Sequence, residues 1–168
     1  INLIAHVLGV YIVERLLEDQ CTNRWYALIY GLWAGLVVAV RTDIAEPLSY
    51  GLVAAAYLAD SRKRIASSAV LFGLAVLAKE TALLFVVAQF AYALFNRDRA
   101  RIINLLSFIV LPFVIWQIIL YQIFGSFGVG SGGCMGTPFE FIPFNGVWRI
   151  APLNFTVFVT YLLFLVPW

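Results

Sequence analysis

The chain has 168 residues, 63% apolar and 12% charged, with a formal net charge of +2. Soluble domains hold about 45–50% apolar and about 25% charged residues, so this inventory cannot cover a water-exposed surface. The weak positive balance is no nucleic-acid signature, and long apolar runs without period-two alternation argue against a transmembrane barrel.

What remains is an all-α fold, a polytopic transmembrane helical bundle whose helices satisfy their own backbone groups inside a bilayer. Seven apolar segments are read at 1–17, 25–40, 46–59, 65–78, 81–95, 102–124 and 148–168, as one transmembrane domain over 1–168. The first opens on Ile1 with no positively charged n-region before it. It therefore reads as having no signal peptide and as a processed or incomplete part of a longer membrane protein. His6, the sole histidine, lies in this segment. A packed or interhelical hydrogen-bonding role is the simpler expectation, and axial ligation of a haem or pigment is the alternative. Only the sixth and seventh segments reach the roughly 20 residues of a full span. The shorter middle ones suggest short or re-entrant helices around a cavity open to one membrane face, or spans whose ends extend further.

The connections alternate in charge. Arg15, Arg24, Arg62, Lys63, Arg64, Arg97, Arg99 and Arg101 fall on one side, against Arg41, Lys79 and Arg149 on the other. The positive-inside rule makes the first side cytoplasmic, which predicts a multi-pass protein of the plasma (inner) membrane. Arg41, Asp43, Glu46, Lys79, Glu80, Glu140 and Arg149 then gather at the outer face. Cys21 and Cys134 land on opposite sides, so no disulfide joins them. No HExxH, CxxC or Ser/His pairing supports metal-centred or triad chemistry.

The seam "VRTDIAEPLSY" places Arg41, Asp43 and Glu46 between two apolar segments. Asp43 and Glu46 are three apart and share a face if helical. One reading is a capped helix start: Asp43 accepts from the first-turn amides, Glu46 reaches back, and Pro47 sits in the first turn. Arg41 then snorkels to the headgroups. In the other reading these residues line a site with Lys79 and Glu80 of "LAKETALLF". Charges at the ends of short helices tend to be paired or functional. Arg41, Lys79 and Arg149 would grip an anionic headgroup such as a phosphate. Asp43, Glu46 and Glu80 would balance those cations or bind hydroxyls. For Lys79–Glu80 alone, a structural tie between helix ends is the simpler expectation.

Further on, Gly128, Gly130 and Gly133 have GxGxxG spacing. A dinucleotide fingerprint needs a strand before and a helix after; here an apolar span precedes and a Pro/Phe loop follows, so that reading is rejected. The stretch is expected to be a turn-rich outer loop, or a gate over the outer cavity with Phe139, Phe141 and Phe144 at the interface.

The run "RTDIAEPLSYGLVAAAYLADSRKRIASSAVLFGLAVLAKETALLF" resembles the middle of polytopic, mannosyltransferase-like glycosyltransferases of the GT-C superfamily, which use polyprenyl-phosphate sugars. The family pattern is an acidic motif at an outer helix end, a downward helix, an Arg-rich cytoplasmic turn, and an upward helix ending in Lys. Here those parts are Asp43/Glu46, "DSRKR" and Lys79–Glu80, and the resemblance covers roughly 25–95. It implies transfer of a sugar from a lipid-phosphate donor at the outer face. A carboxylate, Asp43 or Glu46, would act as general base on the acceptor. Cations, or a divalent metal in some members, would stabilise the leaving phosphate. One departure is that the family's catalytic acid usually lies in the first outer loop, whereas Asp43 and Glu46 lie on a later one.

Two other functions compete. A non-catalytic accessory or scaffold subunit of a larger membrane complex suits the apolar exterior and the lack of redox ligands. A solute transporter would need internal repeats and helices broken at the midplane; no repeat is visible.

Overall fold

The computed structural model describes residues 1–125 together with 127, 155, 156 and 159, and among these every regular element is helical. The chain divides into two compact units, Ile1–Trp116 and Gln117–Trp168. The core and the sites described below belong to the first. In the second, the Tyr121 and Phe127 rings stack with centroids 4.7 Å apart.

Helix α1 spans Asn2–Asp19. The next apolar segment is not one helix. It comprises a one-turn 3-10 helix at Arg24–Tyr26, then α2 at Ala27–Gly31, then α3 at Ala34–Arg41. Between α2 and α3 the chain turns extended at Trp33 (φ −61°, ψ 118°). His6 of α1 reaches this break and lies 2.9 Å from the Gly31 carbonyl through Nε2. A carbonyl only accepts, so Nε2 carries the proton. The expected interhelical hydrogen bond is thus present, and the His6 ring also stacks on Tyr30.

Helices α4 (Glu46–Ser61), α5 (Ile65–Ala78) and α6 (Leu83–Phe95) follow, with a 3-10 turn at Glu80–Ala82 before α6. Then α7 (Arg99–Leu105), a π turn (Leu106–Val110) and α8 (Leu111–Phe124) run on as a single 26-residue helix. Among the described residues this is the one helix long and apolar enough to cross a membrane. At 1.5 Å per residue α4 is only about 24 Å long and α5 about 21 Å.

Bonds between helix ends fix their directions. Asn2 meets Asp43 just before α4, and Asp19 meets Arg62 just after it, so α1 and α4 run parallel. Glu46 meets Lys79 and Ser49 meets Ala75, so α5 returns antiparallel to α4. The α6–α7 turn comes back to Asp60 through Arg101. The bundle therefore has two polar ends, named here the Glu46 end and the Arg101 end.

Between those ends the core is built of small and branched residues: Val53, Ala56, Ala69, Phe72, Ala75, Val76, Val86, Leu105 and Ile109 are all buried. Phe72 meets the Tyr57 ring edge-on at 5.3 Å. Glycine permits the closest approaches. A Cβ on Gly51 would lie 3.3 Å from the Ala5 carbonyl of α1, and one on Gly73 would overlap the Phe108 carbonyl of the π turn.

Among the described residues, four helices end in one way. The residue two past the last helical position has positive φ in each: Cys21 (54°), Asp43 (54°), Lys63 (62°) and Arg97 (53°). The following amide then closes on the helix, as Thr22 on Leu17, Ile44 on Ala39, Arg64 on Ala59 and Asp98 on Ala93. This is the Schellman closure, where glycine is the usual residue.

Candidate functional site

At the Glu46 end, α4 starts without a side-chain cap: Ala45 is the N-cap residue and Pro47 lies in the first turn. The expected capping box is therefore corrected. Asp43 is the left-handed terminator of α3 instead, and its Oδ1 accepts from Asn2 Nδ2 at 2.7 Å. Aspartate tolerates that backbone region better than most residues, and a chain turned there aims its carboxylate away from the α4 amides. Glu46 still sits favourably at the positive end of the helix dipole.

Lys79 is the extended residue (φ −155°, ψ 125°) that separates α5 from the 3-10 turn. Its Nζ donates to Glu46 Oε1 at 2.7 Å, with the two side chains 37% and 22% exposed. One turn further in, buried Ser49 donates from Oγ to the Ala75 carbonyl at 3.0 Å. These two bonds tie the start of α4 to the end of α5, which is the structural tie expected of Lys79, made with Glu46 and not with its neighbour Glu80. The other oxygen of Glu46, Oε2, is buried and has no hydrogen-bond donor among the described residues. A carboxylate oxygen so placed is a vacant acceptor, and leaving it unmade is costly.

Of the predicted site residues, the structure joins Glu46 to Lys79 and fastens Asp43 to α1. Arg41 and Glu80 are exposed and make no side-chain hydrogen bond or ion pair among the described residues. Arg149 and Glu140 lie outside the described residues, as do Cys134, the Gly128–Gly133 stretch, Phe139, Phe141, Phe144 and most of segment 148–168. Among the described residues no group of three or more His, Cys, Asp or Glu side chains could hold a metal ion. The Lys79 ammonium occupies the cation position beside Glu46. These residues do not fit a resident divalent metal.

The Arg101 end holds a network that reading the sequence missed. Arg101 Nη1 donates to Asp60 Oδ2 at 2.7 Å and to Gln89 Oε1 at 3.2 Å. Its Nε donates to Asp98 Oδ2 at 3.3 Å, and its guanidinium lies 5.2 Å from the Tyr92 ring centroid. Asp98 also caps α7 by accepting from the Arg101 amide at 3.0 Å. The Arg101 and Asp60 side chains are only 14% and 19% exposed. Beside them Ser68, Phe72 and Leu105 help enclose a crevice of about 10 Å³, room for about one water molecule. The available signal was Gln89, a lone polar residue in the apolar run "LLFVVAQFAYALF".

No protein-family model, curated protein or solved structure matches this chain.

Proposed function

We propose that this chain is a membrane-embedded helical module of a GT-C-like glycosyltransferase, with the Glu46 end at the outer face and a lipid-phosphate sugar as donor. The observation that carries this reading is the Glu46–Lys79 pair, half-exposed where two short helices meet, with Glu46 Oε2 lacking a donor. A donor phosphate would draw on Lys79, and Arg41 and Arg149 would add to the grip. An acceptor hydroxyl would donate to Glu46 Oε2, the position a general base needs. Asp43, held by Asn2, and Glu80 would adjust the charge around the phosphate. The close helix approaches at Gly51 and Gly73 suit packing in lipid, where small residues let backbones meet. Multi-pass insertion with the basic turns cytoplasmic belongs to this same reading.

The test is binding of polyprenyl phosphate to the purified chain. Lys79→Ala should weaken binding at least tenfold, while Glu46→Gln should leave binding within a few-fold and abolish sugar transfer by the complete protein. Undiminished affinity in Lys79→Ala would remove the phosphate-grip assignment.

A second reading is a non-catalytic subunit of a larger membrane complex. It is favoured by Arg99–Phe124, whose most apolar window is only 17% buried. Co-purification with other subunits at fixed stoichiometry, with no polyprenyl-phosphate binding, would favour it over the first.

A further inference from the structure

We propose that the Arg101 end carries a binding face for the phosphate headgroups of anionic phospholipids, formed by Lys63, Arg64, Arg97 and Arg99. Lys63 and Arg64 lie in the α4–α5 turn, and Arg97 and Arg99 in and just after the α6–α7 turn; all four are exposed. None makes a side-chain hydrogen bond or ion pair among the described residues. The acids at this end are already engaged. Glu14 and Glu18 face Arg24, Glu18 also binds Arg15, Asp19 binds Arg62, and Asp60 and Asp98 bind Arg101. Four cations are therefore left without a carboxylate partner among the described residues, at an end whose eight cations and five acids leave a net charge of +3.

The face is held in shape. Arg101 spans from the start of α7 to Asp60 in the last turn of α4, so the two basic turns are cross-linked by a bond of 2.7 Å. Presenting four charges on a fixed frame lowers the ordering cost of binding. Both turns also forgo the easier residue: Lys63 and Arg97 occupy positive-φ positions where glycine would be unstrained, yet each carries a cation.

Aromatic neighbours select a lipid surface over a free anion or an acidic soluble protein. Phe95, next to the α6–α7 turn, is 90% exposed, and Trp25 and Tyr26 at the same end are 65% and 57% exposed. Such side chains beside cations are the composition of a membrane–water boundary. Phosphate of the inner leaflet supplies the missing counter-charge. This inference rests on the membrane placement proposed above, and not on the transferase chemistry.

The test is thermal unfolding of the full chain in a neutral detergent, titrated with phosphatidylglycerol, phosphatidylcholine or inorganic phosphate. Phosphatidylglycerol should raise the midpoint in a salt-sensitive way, and the other two should not. At about fivefold per charge, the double variant Lys63→Gly/Arg97→Gly should bind phosphatidylglycerol roughly 25-fold more weakly. Because glycine relieves both turns, the same variant should be more stable than wild type without lipid, so weaker binding cannot be put down to misfolding. Unchanged phosphatidylglycerol affinity in this variant, or an equal response to phosphatidylcholine, would overturn the proposal. Inorganic phosphate reproducing the effect at millimolar concentration would overturn the lipid assignment. Loss of the transferase reading shows separately, as failure to bind polyprenyl phosphate at the Glu46 end; loss of the membrane placement shows as protein that stays monodisperse without detergent.

Discussion

The two ends of the bundle are built on opposite principles. At the Arg101 end one guanidinium meets Asp60, Asp98 and Gln89 through its Nε and Nη1 donors. At the Glu46 end a single ammonium meets one carboxylate oxygen and leaves the other vacant. The contrast is one of saturation. Several bonds to one guanidinium fix α4, α6 and α7 to one another, whereas the single Glu46–Lys79 bond ties only the start of α4 to the end of α5. The contrast also reverses what the charge census suggests, since the end richer in cations has its acids spoken for and the poorer end holds the open acceptor.

Removing each hub in turn should have the largest effect. Arg101→Met leaves two carboxylates facing a shielded junction and should cost about 3–5 kcal/mol, as for a broken buried pair. Lys79→Met opens a pair nearer solvent and should cost about 1–2 kcal/mol, between the exposed and buried cases. Chemical unfolding in detergent measures both, and a larger loss from Lys79→Met would invert the assignment of roles. Between these two in size stands Gly73→Ala, which strikes neither end. Its methyl group would overlap the Phe108 carbonyl, and overpacking of that kind costs about 1–3 kcal/mol.

A smaller effect, of opposite sign, comes from the helix terminators. Lys63→Gly and Arg97→Gly should each stabilise the chain by about 1 kcal/mol, because the left-handed region costs a non-glycine residue about that much. Destabilisation by either would mean that the side chain makes an interaction worth more than the strain.

The smallest expected effect is on acid stability at the Arg101 end. Hydrogen bonding from the Arg62 side chain holds Asp19 below the usual carboxylate range, and the Arg101 amide followed by its side chain does the same for Asp98. A carboxylate whose folded pKa is depressed contributes stability above its unfolded value, about pH 4, and loses it as pH falls through the folded value. Acid should therefore weaken the Arg101 end below about pH 4. Asp98→Asn should flatten the stability profile below about pH 4, read by hydrogen exchange of the α7 amides.

Much of the helical layout was legible from apolar runs. The segment read at 65–78 is α5 residue for residue, and 46–59 differs from α4 by two residues at one end. Both follow from local composition, which apolar periodicity reports. The break at Trp33 was invisible because "GLWAGLVV" is apolar throughout, and a bilayer-compatible run does not reveal where its hydrogen bonding stops. Asp43 was misplaced for a different reason: an acid three residues before a glutamate suits a cap and a left-handed terminator equally, and only the partner, Asn2, 41 positions away, decides. Arg101 was read as one more basic-turn residue because its acceptor Asp60 is equally distant in sequence. Lys79 and Glu46 were legible as candidates, but their pairing was not, since it depends on α4 and α5 being antiparallel and in register.

The proposed placement puts the Glu46 end outward across a membrane and the Arg101 end at the cytoplasm. Cysteine accessibility in sealed right-side-out vesicles tests it most directly. Cys21 lies exposed in the turn after α1 at the Arg101 end, and Thr42 lies exposed beside Asp43 at the other. With Cys134→Ser throughout, an impermeant maleimide should label Thr42→Cys (in a Cys21→Ser background) in intact vesicles, and Cys21 only after they are opened. Labelling of Cys21 from outside, with Thr42→Cys protected, would contradict that orientation.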